Sequence, residues 1–382
     1  EPSVPAETAV PAESAAPKQD FDFALFAQAL EAGEVNTVLS PASAYFCLAL
    51  MMNGAGGETL REAERVLGGT LAEVNARCKA RAAALTEVAG STKLGVANSA
   101  WVDEKKVTLD AGYQKRVEAE LGAAVFAVDL PTRAAMEAIN RWVDEQTHGM
   151  IPTTLTEPLD ASAAAALFNT VYFKGKWALP FNAHSTYDRP FSKADGQSVQ
   201  TPFMDGSGWR DYIHTGDAEG VVLPYDDEKT VFIALRPTDG ADARALAASL
   251  DRNRLADYMR AAKSTDIYFH MPKYTVSFSI TLNDALKAMG LETMFDSRAD
   301  LSGMGVPVAE PLFVSTVFQK VKVIVDETGT EAAAVTGMVM FSSAMAPEEK
   351  PTLDLDSPFV YAVVDVESGQ PLFIGVLDDP TA

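Results

Sequence analysis

Cysteine is nearly missing from this chain of 382 residues, which holds only Cys47 and Cys78. Two thiols cannot supply the four ligands of a structural zinc site, and their separation makes no CxxC redox pair. Cys47 lies in the apolar run Tyr45-Phe46-Cys47-Leu48-Ala49-Leu50, the usual setting of a buried free thiol. The fold must therefore hold without staples. Long apolar runs are missing too: none approaches the roughly 18–20 residues that a helical membrane span needs. Positive charge is scarce, with 31 Lys plus Arg against 53 Asp plus Glu, so the net formal charge is 31 − 53 = −22. A polyanion of this kind is repelled by phosphate backbones, and nucleic acid is excluded as a partner. The densest basic cluster, Arg77, Lys79 and Arg81, is flanked by Glu73 and Glu87 and reads as a solvated helix face.

The spacings that carry catalysis are also absent. There is no HExxH, GxSxG, GxGxxG or phosphate-loop sequence. Gly54-Ala55-Gly56-Gly57 follows a helical pattern and not a strand, so it reads as a helix-ending turn. His148, His184, His214 and His270 have no ligand or triad partner at a recognisable spacing and read as structural or surface histidines. Asp226-Asp227-Glu228 reads as a solvated turn ahead of a strand, and not as an acid–base pair or a calcium site. No metal site and no cofactor are expected, and the chain does not read as an enzyme.

What is present is a chain long enough for two or three compact units or one large one. Its 47% apolar and 22% charged residues are ordinary for a globular protein. Residues 1–20 differ from the rest: four prolines, many Ala and Glu and almost no large apolar side chains make a spacer that cannot bury enough surface to order itself. Beginning at Glu1, without an initiator Met or an apolar signal core, the chain reads as a trimmed product that is secreted or tethered at a cell surface, with a cytoplasmic location also compatible. From Phe21 to the end no linker breaks the chain, which points to one domain over 21–382. Ser40-Pro41 reads as an N-cap and first helical residue leading to Met52, with Gly54 as the stop. Met136, Ile139, Trp142 and Val143 recur at helical spacing, as do Leu282, Ala285, Leu286 and Met289. Strands are expected over Leu167–Phe173, Thr230–Leu235, Ile267–His270, Tyr274–Ile280, Val317–Val325, Phe359–Val366 and Leu372–Val376. Helices in front and strands behind argue an α+β fold.

One segment carries no catalytic group and still stands out. Ala332 to Ala346 is a run of 15 residues without a charge in a chain that is 22% charged. It begins with Ala332, Ala333 and Ala334, continues through β-prone residues to Phe341, and ends in Ser342-Ser343-Ala344. Exposed, such a stretch is a liability for edge pairing. With Asp326-Glu327-Thr328-Gly329-Thr330-Glu331 ahead of it, it resembles the hinge of the serpins, a family of suicide protease inhibitors. The resemblance extends to Asn36–Ser43 (NTVLSPAS), Asn169–Trp177 (NTVYFKGKW), Phe181, Thr186, Phe191, Met271-Pro272-Lys273-Tyr274, Ala299–Gly303 (ADLSG), Ser357-Pro358-Phe359 and Pro371–Gly375 (PLFIG). These landmarks occur in the family's order from about residue 21 to Pro380.

The resemblance implies a serpin fold: three β-sheets, eight or nine helices and an exposed reactive-centre loop over about 328–350. It implies a monomeric inhibitor of serine, and in some cases cysteine, proteases. The protease cuts the loop as bait, and the cut loop enters the main sheet as a new strand that traps the acyl-enzyme. The alternative within the family is a non-inhibitory binding or chaperone module, and no heparin site is evident. The hinge maps to Glu327, Gly329, Thr330, Glu331, Ala332, Ala333 and Ala334. Thr330, Ala332 and Ala334 share the parity that becomes buried, whereas non-inhibitory members often carry charge, bulk or proline there. Lys273 and Glu327 map to a pair beside Trp177 where insertion begins. Ser40, Ser43 and Asn169 map to a polar cluster under the centre of the sheet, where Gln319 replaces the family's usual histidine. The family spacing from Glu327 puts the scissile bond at Ser343–Ala344. The stretch before Pro358 is longer than usual, which keeps Phe341 and Met345 as alternatives. Ser343 would suit elastase-like or subtilisin-like proteases, and Phe341 chymotrypsin-like ones. High alanine content and the spacer-like start point to a bacterial source.

Overall fold

Pro41–Met52 forms a helix in which every residue is buried. A helix apolar on all sides has no solvent face and must run through the interior. In the computed structural model, which describes residues 20–33, 35–86, 93–238, 240–308, 311–330 and 350–382, this helix lies under one sheet and against a second. Leu48, Leu50, Met51 and Met52 are wholly enclosed, each worth about 1.5–3 kcal/mol relative to exposure. Ser40 holds the N-cap position, but its side chain makes no capping bond. Instead Gln319 grips its backbone from the sheet above, accepting from Ser40 N and donating to Ser40 O, both at 3.0 Å.

The chain order is α1 (Phe21–Glu31), β1 (Val38–Leu39), α2 (Pro41–Met52), α3 (Gly57–Leu67), α4 (Leu71–Thr86), β2 (Lys93–Asp103) and β3 (Val107–Leu109). Next come α5 (Ala111–Leu121), β4 (Ala124–Val128), α6 (Arg133–Gln146), β5 (Ala165–Lys176), β6 (Tyr187–Ser192), β7 (Ser198–Asp205) and β8 (Gly208–His214). Then follow β9 (Ala218–Pro224), β10 (Thr230–Pro237), α7 (Ala243–Ala248), α8 (Arg252–Ala261), β11 (Lys263–Pro272), β12 (Tyr274–Thr281) and α9 (Asn283–Ala288). The last elements are β13 (Gly305–Pro307), β14 (Val314–Val325), β15 (Gly329–Thr330), β16 (Thr352–Asp354), β17 (Phe359–Asp365) and β18 (Pro371–Leu377). Every strand expected from the sequence is present. The expected division into helices first and strands later is only half met: β2 falls in the front third, and α7 to α9 lie among the later strands.

The described residues form three sheets. The six-stranded one has the order β12-β14-β15-β5-β2-β4, and the ten-stranded one runs β1-β18-β17-β10-β9-β8-β11-β7-β6 with β16 beside β11. The third is the β3–β13 ribbon. β5 and β14 pair directly and in parallel over Ala165–Val171 and Val314–Val321. Above that stretch they part around β15, which pairs antiparallel with both. β14 buries Val317, Val321, Val323 and Val325 on its inner face, the alternation of a strand covered on one side. On the outer face α6 lays Ile139 and Trp142 over Trp101, Phe126 and Phe168. The segment after α6 is tied across β14 by Lys320 Nζ to Thr153 O at 2.7 Å and Lys322 Nζ to Met150 O at 3.3 Å.

Candidate functional site: hinge and sheet-opening region

β14 turns into β15 through an acidic tight turn. Asp326 Oδ1 accepts from Thr328 N at 2.8 Å, Thr328 Oγ1 at 2.7 Å and Gly329 N at 3.2 Å, and Asp326 N donates to Gly329 O at 2.9 Å. A short carboxylate closing on its own backbone is how Asp stabilises such turns. Gly329 is required by space: a Cβ there would stand 1.9 Å from Gly175 O. Three donors from the chain after β5 clamp the turn from outside. Trp177 N reaches Thr328 O at 3.0 Å, Trp177 Nε1 reaches Asp326 O at 2.8 Å, and Phe181 N reaches Glu327 O at 2.8 Å. Glu327 then takes Lys273 Nζ on Oε2 and Thr186 Oγ1 on Oε1, both at 2.8 Å. Burial works against its charge, but the Lys273 ammonium and the Thr186 hydroxyl outweigh it and hold the carboxyl below its ordinary 4.5. Thr330 is 1% exposed, and its hydroxyl lies 2.6 Å from the buried Tyr225 hydroxyl. Tyr225 stacks on Trp177 with ring centroids 4.8 Å apart.

Lower in the same sheet, the side chains of Asn98, Asn169 and Gln319 stand in one row across β2, β5 and β14. Gln319 Nε2 donates to Asn169 Oδ1 at 2.8 Å, and Asn169 Nδ2 donates to Asn98 Oδ1 at 2.6 Å, to Ser43 O at 3.1 Å and to Ser43 Oγ. With the Gln319–Ser40 bonds, this network welds the start of α2 to the strands that pair in parallel. Every member is buried. A network in such a setting is rigid while satisfied and costly once broken.

The pattern of the family described as Serpin (serine protease inhibitor) matches residues 16–380. The chain belongs to the serpin family. It is 32% identical to Serpin-Z2B of Triticum aestivum over 360 residues, 90% of each chain. It is 30% identical to the leukocyte elastase inhibitor of Sus scrofa over 357 residues, 90% of this chain and 93% of that one. Among solved structures it is similar to the native state of the thermophilic serpin tengpin, with a TM-score of 0.87 at 28% identity over 95% of this chain and 93% of that one.

In this serpin the structure brings together Lys273, Glu327 and Trp177 at one end of the slot, and Ser40, Ser43, Asn169 and Gln319 beneath its centre. Gly329 and Thr330 correct the expected loop boundary: they lie inside the sheet, because the turn at Asp326 sends the chain straight back between β14 and β5. Glu331, Ala332, Ala333, Ala334, Phe341, Ser343, Ala344 and Met345 lie outside the described residues, as does the N-terminal segment through residue 19. Tyr225, Asn98 and the role of Thr186 escaped the sequence reading. Two surface assignments also change. Asp227 is 2% exposed and accepts from Lys229 N, Thr230 N and Thr230 Oγ1, so the acidic turn is anchored and not merely solvated. Arg81 is not on a solvated face: its side chain is 15% exposed and pairs with the buried Asp22 at 3.3 Å. His270 has partners after all, Asp354 Oδ1 at 2.6 Å and Tyr187 OH at 3.2 Å. Asp354 is held on both oxygens by Arg189 at 3.0 and 2.9 Å, so the set ties β16 to β6 and β11. No helix among the described residues is long and apolar enough to cross a membrane.

Proposed function

We propose that this serpin is a suicide-substrate inhibitor of serine proteases, in which the cut loop enters between β5 and β14. One observation carries the reading: β15 already sets the register that an entering strand would extend. Thr330 stands opposite Gly175 on one side and Val325 on the other. Continuing antiparallel, Ala332 falls between Phe173 and Val323, Ala334 between Val171 and Val321, and Thr336 between Asn169 and Gln319. The first four of those neighbours are buried apolar side chains and the last two are the buried amides. Small residues thus meet apolar walls, and the Thr336 hydroxyl meets the polar row. Glu331 falls on the opposite face, level with Lys174 and Ile324. Chains that bury no charge on entry insert without the several kcal/mol penalty of an unpaired ion.

The entering strand would replace one parallel ladder with two antiparallel ones, an instance of strand addition driven by strain stored in the uncut fold. Ser343 as the residue before the scissile bond favours proteases with small specificity pockets, and the elastase inhibitor among the relatives agrees with that class. The loop acts as bait, so the chain itself turns over no substrate. The test is a panel of elastase-like, subtilisin-like and chymotrypsin-like proteases, read for an adduct that survives boiling in detergent and for the cut site by mass spectrometry. An adduct with cleavage between Phe341 and Ala346 is expected. Cleavage in that window without any adduct would leave a substrate or a binding module in place of an inhibitor.

A further inference from the structure

Beside the buried pair Arg81–Asp22 lies a groove of about 450 Å³ between α4, the first turn of α2 and the turn joining β17 to β18. Ala80 and the buried Ala42 and Leu372 give it apolar surface, α4 adds Arg77 and Arg81, and the turn adds Asp365 and Glu367. The groove is therefore cationic along one side and anionic along the other. Arg77 donates to neutral oxygens, Tyr45 OH at 3.1 Å, Leu67 O at 3.0 Å and Gly68 O at 2.8 Å. Arg81 Nη1 and Asp22 Oδ1 are buried with no hydrogen-bond partner among the described residues, an unfavourable state for charged groups.

The chain itself enters the fold at this corner. Asp20 caps α1 and accepts Arg252 Nε at 2.8 Å, while Arg252 Nη1 donates to Ser368 O at 3.3 Å. Ser368 lines the groove. Residue 20 thus stands one arginine away from the rim, and residues 1–19 precede it. The six residues just ahead of Gln19 read Glu13-Ser14-Ala15-Ala16-Pro17-Lys18. Extended, they span about 20 Å at the usual rise per residue. Their charges sit at the two ends and their small apolar residues in the middle. Pro17 favours extended backbone at Ala16, which lowers the entropy lost on docking. A segment too polar to fold alone still orders when a complementary surface is offered.

We propose that Glu13–Lys18 seats in this groove of its own chain, with Lys18 against Asp365 and Glu367, Ala15 to Pro17 over Ala80 and Leu372, and Glu13 against Arg77 and Arg81. The strap joins the entry of the chain to α4 and to the β17–β18 turn, and it is independent of whether the loop inhibits anything.

Zero-length carbodiimide cross-linking of the full chain tests it directly, with mass spectrometry to locate the bond. Lys18 should join Asp365 or Glu367 within a monomer. Hydrogen exchange supplies the second reading, at residues 77–81 and 365–372. The full chain carrying Glu13→Lys and Lys18→Glu should exchange several-fold faster there, and so should Ala80→Trp, which fills the groove from an exposed position and leaves the segment intact. Lys79→Ala, whose ammonium pairs with Glu120 at 2.7 Å, should exchange like the parent. Unchanged exchange in both groove-directed variants, Lys18 bonds scattered over unrelated carboxylates, or bonds found only in a dimer band would each overturn the proposal.

Discussion

Replacing Thr330 by arginine places a guanidinium where the structure has a side chain 1% exposed, between Gly175 and Val325 and against the Tyr225 hydroxyl. Two costs follow. Tyr225 loses its partner at 2.6 Å, and an unsatisfied buried hydroxyl costs about 1–3 kcal/mol. Of the groups that adjoin Thr330, namely Gly175, Val325 and the Tyr225 hydroxyl, none is a carboxylate, and an unpaired buried charge costs several kcal/mol even after relaxation. The arginine can escape both by leaving the slot, but then β15 is gone and the cut loop must start its ladder with that charge at the entrance. If only about 3 kcal/mol of this falls on the first step of insertion, that step slows by about 100-fold. Hydrolysis of the acyl-enzyme is the protease's own chemistry and keeps its rate. The two outcomes compete from one intermediate, so the balance shifts from trapping to release. A titration of protease with Thr330→Arg, followed by residual activity and by the detergent-stable band, should show intact cleavage, an active enzyme and little adduct. Thr330→Val, which keeps the shape and removes the hydroxyl, should still trap, and Glu331→Arg should lose much less than Thr330→Arg. Inhibition by Thr330→Arg at the parent's stoichiometry would refute the face assignment or the insertion mechanism.

Cutting the loop should raise the melting temperature, since ten or so newly laddered residues at roughly 0.5–1.5 kcal/mol each amount to on the order of 10 kcal/mol; calorimetry of cut and uncut protein checks this, and coincident melting would rule out insertion. Gln319→Ala strands the buried Ser40 N–H and Asn169 Oδ1, which it now holds at 3.0 and 2.8 Å, and should destabilise by about 2–4 kcal/mol in denaturant unfolding. Gln319→His retains a donor and an acceptor and should lose less. The depressed Glu327 carboxyl contributes stability that is present above its unfolded value of 4.5 and lost as the pH falls through its lower folded value. Lys273 is 45% exposed, so the effect should stay under about 1 kcal/mol, and Glu327→Gln should flatten this acid limb of the stability curve.

Much of this was legible before any coordinates, for reasons tied to particular residues. Val321, Val323 and Val325 alternate with the partly exposed Lys322, Ile324 and Asp326 because β14 buries one face, and the apolar run Tyr45–Leu50 marks α2 as internal. The strand β2 was not legible: Gly95, Ala97, Asn98, Ser99 and Ala100 are small or polar and weak β formers, and only pairing with β5 and β4 makes them a strand. Asn98 was missed with it. Tyr225 was hidden for a different reason. It precedes an acidic triplet that looks solvent-facing, and its partner Thr330 is 105 residues away along the chain. Arg81 misled in the opposite direction, because its spacing on α4 suits a solvated face and nothing local announces Asp22 on α1. Local patterns report which face is covered; they are silent on which distant side chain does the covering.

The position of Trp177 turns the hinge into its own optical reporter. Its indole is 3% exposed, stacked on Tyr225 and bonded to the carbonyl of Asp326, at the place where β15 begins. Trp101 and Trp142 belong to the separate cluster under α6, and Trp209 is 68% exposed. Quenching by an external collider removes the emission of Trp209 first and leaves signals from enclosed rings. Among those, Trp177 is the one in contact with the turn that must rearrange when the loop moves. Stopped-flow emission from the unlabelled protein therefore times the departure or deepening of β15 without any dye attached to the loop.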